Sequence, residues 1–459
     1  MTEEVLGFIM FGSAIVLLLL GFPVALTLGG VALLFAYIGD YLDLFSLGFL
    51  GLYPLRIFGV MKSEALVAVP LFVFMGVMLE KSRLATQLLE TMGLMFGTMR
   101  GGLGLSVVIV GTLLAASTGI VGATVVTMGL MSLPAMLKAG YSPRLSSGII
   151  CASGTLGQII PPSIVLVLLG DILQGANEQA AQLKGELVPE PVTAIDLFAG
   201  ALFPGLMLVV FYVAWVMLTA WRNPNACPAL VDEAPTGERL HRRVIVTVVP
   251  PLLLIILVLG SILIGAATPT ESAAVGAVGA TFLAWRNQAL SLPVVKEVAQ
   301  ATTQISSMVF IILLGASMFS LVFRGFGGDT LVEEFLSELP GGLFTAMLLV
   351  MLVIFLLGFF LDFIEIIFVV VPIVAPILIA MGLNPLWLGV MIGINLQTSF
   401  LTPPFGFSLF YLRGVAPDSV RTLDIYRGVI PFIGIQVIVL VMLSLFPQIA
   451  TWLPQVLFK

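Results

Sequence analysis

Apolar runs of about 20 residues recur along almost the whole chain, and they limit the fold more than any other feature. In hydrocarbon every backbone N–H and C=O must be satisfied inside the structure, which leaves only helices and closed barrels. The runs near 5–21, 22–38, 62–80, 145–170, 196–221, 244–264, 268–286, 302–322, 385–412 and 429–448 have the length of spanning helices, not of barrel strands. Composition agrees, with 59% of the 459 residues hydrophobic and 10% charged. A soluble domain carries about 25% charged residues. The chain therefore reads as an all-α polytopic membrane protein with about 10–12 transmembrane helices. Its opening, "MTEEVLGF", lacks the basic region of a secretory signal, so the first run is expected to be a retained span.

Two further runs, 102–138 and 341–382, are too long for one span and hold small or charged residues at their middle. They read as re-entrant hairpins, which survive at membrane depth only where protein or a water-filled cavity satisfies the backbone. Segments 41–60 and 84–99 read as lateral helices. With the N-terminus outside, fourteen Lys and Arg fall inside and five outside, as the positive-inside rule requires. Segment 172–195 then lies outside and is acidic. Segment 222–243 is a polar inside linker dividing residues 1–221 from 244–459.

The halves repeat each other. A constant shift of 242 aligns Pro134 with Pro376, Gly140 with Gly382, Pro143 with Pro385, and Pro161–Pro162 with Pro403–Pro404. Charge flanking the repeats has opposite bias. Segment 81–100 has three basic residues where 324–340 has one, and 413–427 has three where 171–196 has one. The halves are thus expected to insert upside down relative to each other, a design of secondary transporters. The stretches "GTLGQIIPPS" (154–163) and "LQTSFLTPPF" (396–405) break helices spanning 145–172 and 385–412. Glycines there are expected to turn freed carbonyls inward, toward a cation, while half-helix N-termini face an anion. The hairpin tips, "STGIVGAT" (117–124) and "GFFLDFIEI" (358–366), should meet these breaks.

Ser117, Thr118, Ser153, Thr155, Asn395, Thr398 and Thr402 offer hard neutral oxygens near the breaks. Each hydroxyl has a plainer role open to it, bonding a carbonyl one turn back. Asp362 and Glu365 lie within an apolar run, where a carboxylate carries a proton, binds a cation or pairs with a backbone donor. Glu271 reads as a helix cap after Pro269. The one histidine, His241, sits in the basic linker, and no P-loop pattern occurs. Neither a Ser/His or zinc enzyme nor an ATPase is expected, so energy must come from an ion gradient or a partner. The two cysteines, Cys151 and Cys227, supply no metal or disulfide framework. A stand-alone H⁺- or Na⁺-coupled carboxylate carrier and a non-transporting membrane protein remain alternatives at this level.

The stretches "ASTGIVGATVVTMGLMSLPAMLKAGY", "CASGTLGQIIPPSIVLVLLGD", "ATPTESAAVGAVGA" and "FFLDFIEIIFVVVPIVAPIL" resemble the large membrane subunit of tripartite ATP-independent periplasmic (TRAP) transporters. The wording is closest to the branch labelled mannitol/chloroaromatic, whose similar members carry 2-oxoacids and other organic acids. The resemblance implies an elevator-type fold in a bacterial inner membrane, with Na⁺ as coupling ion and no other cofactor. It implies a separate four-helix small subunit, a periplasmic substrate-binding protein, an organic-acid substrate and a lipid bilayer as partners, and no nucleic acid. Its ion sites carry over to Ser117, Thr118, Gly119, Ser153, Gly154, Gly358, Asp362, Asn395, Thr398 and Thr402. Substrate-facing candidates are Gly122, Thr155, Gln158, Pro161, Pro162, Glu365, Pro403 and Pro404. The second break lacks the paired glycines of the first, so its ligand set is expected to differ.

Overall fold

Helix starts follow capping chemistry carried by the chain. The Thr268 amide donates to Glu271 at 2.8 Å, and the Glu271 amide donates to the Thr268 hydroxyl at 3.2 Å. Thr193 and Asp196 make the same reciprocal box. Each box satisfies amides that a helix start leaves without a partner. Prolines in the first turn, where a missing N–H costs nothing, open the helices at 143, 269 and 385.

The structure, a computed structural model, describes residues 3–82, 84–119, 121–186, 189–229 and 238–458, with backbone only for 117, 118 and 238–241. The described residues are all-helical. The first half holds α1 (Glu3–Leu19), α2 (Val24–Tyr41), α3 (Tyr53–Lys62), α4 (Glu64–Lys81) and α5 (Leu84–Phe96). It continues with α6 (Gly102–Thr118), α7 (Val121–Lys138), α8 (Pro143–Thr155), α9 (Ile164–Lys184) and α10 (Ala194–Arg222). The second half holds α11 (Glu238–Leu263), α12 (Pro269–Arg286), α13 (Leu292–Gly325), α14 (Gly328–Ser337) and α15 (Gly342–Leu357). Then follow α16 (Phe363–Val369), α17 (Val371–Ala380), α18 (Pro385–Leu401), α19 (Phe407–Val415), α20 (Thr422–Leu445) and α21 (Gln448–Phe458).

Element order repeats between the halves. Bent α3 and α4 stand opposite continuous α13, continuous α7 stands opposite bent α16 and α17, and α21 has no counterpart. Among the described residues six helices are long and apolar enough to cross a bilayer alone, or eight if each pair bent by 55° counts as one span. Of the broken helices' parts, α8, α18 and α19 have 17 residues or fewer, and α9, with 21, is polar in its second half. The acidic stretch after residue 171, expected as an outside loop, is helical as far as Lys184. Its Ala, Gln and Glu residues favour helix, and Gly185 ends it with a left-handed φ of 72°.

Packing is reciprocal. α2 lies along α13, and their counterparts α12 and α4 lie along each other. Each hairpin packs its first arm on the broken helix of its own half, α6 on α8 and α15 on α18. Its second arm also reaches the other half, α7 packing on both α8 and α19 and α17 packing on α9. α8 is buried from Leu145 to Thr155 and α18 from Leu386 to Leu401, so the breaks lie at the centre. Large apolar side chains such as Leu19, Leu26, Leu34 and Tyr37 cover the outside of α1 and α2. Lys81–Glu297 and Arg243–Glu90 ion pairs join helix ends on the expected inside.

α8 and α20 touch backbone to backbone. A Cβ on Gly148 would stand 2.1 Å from the Gly428 carbonyl, and one on Gly428 would stand 2.1 Å from the Arg144 carbonyl. Small residues bring membrane helices this close. Gly428→Val is expected to lower the unfolding temperature in detergent, at a cost of about 3 kcal/mol. Gly434→Val, on the same helix with open space around it, should leave the temperature unchanged. Equal melting of both variants would show that this contact does not hold the core.

Candidate functional site at two broken helices

α8 ends at Thr155 and one 3-10 turn carries on to Gln158, before α9 starts at Ile164. α18 ends at Leu401 and α19 starts at Phe407. Pro161–Pro162 and Pro403–Pro404 stand in the gaps, both with cis peptide bonds. Gln158 and Phe400, equivalent under the 242-residue shift, each have a proline four residues on and so lose the helical donor to their carbonyl. Serine hydroxyls take over. Ser163 donates to the Gln158 carbonyl at 2.9 Å, and Ser408 to the Phe400 carbonyl at 2.7 Å. One freed carbonyl at each break is therefore already used within the protein.

The glycines of the first break do something other than turn carbonyls inward. Neither Gly154 nor Gly157 has a positive φ. They let the first hairpin approach: a Cβ on Gly154 would stand 2.3 Å from Val125 Cγ2, and one on Gly157 would stand 3.2 Å from the Ala115 carbonyl. In the second half the glycine sits on the hairpin instead. A Cβ on Gly358 would stand 2.2 Å from Ser399 Oγ, and Ser399 is the equivalent of Gly157. The missing glycines of the second break are thus replaced across the contact. Rings complete the second side, with Phe360–Phe405 and Phe400–Phe407 centroids each 5.0 Å apart.

Polar atoms gather where the halves meet. Gln397 Nε2 donates to Thr155 Oγ1 at 3.3 Å, and these two residues are themselves equivalent, 242 positions apart. An axis relating the halves must pass near them. Ser153 and Asn395 are likewise equivalent. Buried Ser153 Oγ has no hydrogen-bond partner among the described residues. Asn395 donates its amide nitrogen to the Met351 carbonyl at 2.8 Å. The side chain of buried Gln158 and the Oε1 of Gln397 are also without partners. Thr155, Thr398 and Thr402 each donate to a carbonyl three or four residues back, at 2.9, 2.8 and 2.8 Å, and keep oxygen lone pairs.

Asp362 is the N-cap of α16. It accepts from the Phe363 amide at 2.8 Å, while its own amide donates to Glu365 Oε2 at 3.1 Å. Pairing with a backbone donor, one of the three roles open to it in the sequence, is present. Glu365, expected to face substrate, folds its carboxylate back onto the Asp362 amide at the hairpin tip, as the third residue of a capping box does, and borders a small apolar cavity with Phe11, Leu18, Phe319 and Leu357.

Gly119 closes α6 with a φ of 61°, and a Cβ there would stand 3.3 Å from the Ile164 amide nitrogen, so the first tip lies over the start of α9. The side chains of Ser117 and Thr118 lie outside the described residues. Pro161 and Pro162 are buried, whereas Pro403 is half-buried and Pro404 exposed. Gly122 lies under the Tyr411 ring, its missing Cβ 3.0 Å away. The Asp362 carboxylate is within electrostatic reach of the same phenol. Tyr411 thus packs on the first hairpin tip. Sequence reading passed over it, since nothing in its neighbours marks an aromatic of α19 as polar or special.

This is the architecture of a multi-pass membrane transporter, with hairpins meeting broken helices in its centre. In fold it is similar to the YdaH transporter of Alcanivorax borkumensis, with a TM-score of 0.55 at 15% identity over 83% of this chain and 87% of that one. Residues 11–449 match the family described as "Tripartite ATP-independent periplasmic transporter, DctM component", and the chain belongs to that family. It is 30% identical to the C4-dicarboxylate TRAP transporter large permease protein DctM of Rhodobacter capsulatus, over 98% of this chain and 99% of the relative. It is 29% identical to the ectoine TRAP transporter large permease protein TeaC of Halomonas elongata, again over 98% and 99%.

Gly358→Ala is expected to push the second hairpin off its break and lower the unfolding temperature. Ser399→Gly removes the clashing side chain and should restore part of it, a coupling of about 1–2 kcal/mol in a double-mutant cycle. Additive effects would separate the hairpin tip from the break.

Proposed function

We propose that this chain forms the transport path of a Na⁺-coupled importer of small organic acids in a bacterial inner membrane, with its N-terminus periplasmic. The family description itself speaks of a tripartite system and of one component. A small membrane subunit and a periplasmic substrate-binding protein are the partners that complete it. Relatives named for a C4-dicarboxylate and for ectoine align over nearly the full chain, so selection among substrates is assigned to the binding protein.

One observation carries the ion-coupling reading. Ser153, two residues before the end of α8, leaves its buried hydroxyl without a hydrogen-bond partner among the described residues, and its equivalent Asn395 lies six residues before the end of α18. A buried oxygen without a partner is costly, and a desolvated Na⁺ needs such neutral oxygens. Gly119, Gly154, Gly358, Thr398 and Thr402 with Ser117 and Thr118 surround these positions in the proposal, and Asp362 supports the second tip through its cap. Because equivalent hairpins cross onto opposite halves, the central helices and hairpins would move together as an elevator against α2, α4, α12 and α13.

In proteoliposomes holding both membrane subunits and the binding protein, succinate uptake is expected to fall at least tenfold when choline replaces Na⁺. Uptake by this chain alone would remove the tripartite part of the reading. Ser153→Ala breaks no hydrogen bond and should raise the Na⁺ concentration for half-maximal uptake by about tenfold, the worth of about 1.4 kcal/mol. An unchanged Na⁺ curve places the ion elsewhere. Asp362→Asn preserves an N-cap and should leave the pH profile of uptake unaltered. Loss of one limb of that profile would assign Asp362 a proton instead.

A further inference from the structure

A second polar place lies away from the breaks. Arg56 of α3 and Arg324 near the end of α13 line one cavity of about 190 Å³, together with Asp171, Gln179, Ser320 and Pro372. It sits on the seam where α3 and α13 face α9 and α17.

The two guanidinium groups are poorly used. Each has five N–H donors. Arg324 donates from Nη2 to Gln179 Oε1 at 2.7 Å and to the Pro372 carbonyl at 3.2 Å, and its buried Nε has no partner. Arg56 makes one long contact, 3.5 Å to the Ser317 carbonyl. All three acceptors are neutral, and neither arginine forms an ion pair among the described residues. Two acids are near. Asp171 accepts from the Ser63 hydroxyl at 2.7 Å, and Asp329 is within electrostatic reach of Arg324 without pairing.

Charged side chains within an apolar bundle are costly, and they mark places where ions or substrates pass or pair. Spare N–H groups on two planar forks match the paired oxygens of a carboxylate or a phosphate. Drug-sized ligands need about 300 Å³ or more, so this cavity takes something smaller. We propose that it is a second binding site for a small carboxylate, held by Arg56 and Arg324 and separate from the broken helices. The choice of carboxylate as ligand class rests in part on the reading of the chain as an organic-acid carrier. An anion held there ties α13 to α9 and α17 through the arginines.

The test uses the full chain in phosphatidylcholine nanodiscs without Na⁺, with succinate as probe and thermal unfolding as readout. Leaving out Na⁺ separates this site from the ion-coupled one, so failure here does not touch Na⁺-dependent uptake, and failure of uptake does not touch this site. Succinate is expected to raise the unfolding temperature by about 3 °C. Arg56→Gln and Arg324→Gln should each abolish the rise. Ser320→Asp keeps both arginines and puts a carboxylate into the cavity wall; it should raise the temperature by itself and remove the response, and it carries the test if an arginine variant does not fold. A rise that survives in all three variants overturns the proposal. So does the absence of any rise with succinate, including the case where phosphatidylglycerol discs stabilise the protein through the same arginines, because the occupant is then a lipid headgroup.

Discussion

Two helices break inside this molecule and leave carbonyls without helical donors, the first break fully buried and the second opening at Pro404 and Phe405, and much of the structure answers that loss. Ser163 and Ser408 reach back to the two carbonyls that proline deprives of donors. The hairpins supply the rest of the enclosure, because backbone that leaves helical geometry at this depth must be covered by protein or line a cavity. Close cover requires small residues at the contact, and Gly154, Gly157 and Gly358 stand where a Cβ would touch or overlap the opposing chain.

The two breaks solve the same problem with different atoms. At the first, glycine lies on the broken helix and the hairpin brings Ala115 and Val125. At the second, glycine lies on the hairpin and the broken helix brings Ser399, with phenylalanine rings packed beside it. Steric fit asks only that the summed volume across a contact be small, so the side on which the small residue sits is free to change. The polar atoms keep the symmetry more strictly: Ser153 answers Asn395, and Thr155 bonds its own equivalent, Gln397. Oxygen placement has less freedom than packing volume, because each hydrogen bond has one length and one direction.

Around this centre lie α2, α4, α12 and α13, which pack on one another across the halves. Where they meet α9 and α17, Arg56 and Arg324 face a small cavity with only neutral acceptors in reach. The outer apolar side chains of α1 and α2 need a covering of lipid or of another membrane chain, since they find none within this one.

The run lengths, the charge bias and the prolines 242 residues apart were enough to specify helices, two related halves, two breaks and two hairpins. These are local and periodic properties, and in an apolar solvent local hydrogen bonding decides secondary structure. Which atoms face the breaks was decided by packing. Asp362 and Glu365 read alike as buried carboxylates, yet they form one reciprocal cap, Asp362 at the start of α16 and Glu365 folded back onto the Asp362 amide. Gly154 and Gly157 read as backbone hinges, yet they serve as contact surfaces. Tyr411 had no sequence signal at all, and it covers Gly122 of the first hairpin only because α19 packs across the halves onto α7. Contacts between segments hundreds of residues apart depend on crossing angles and side-chain volumes, and no one segment contains that information.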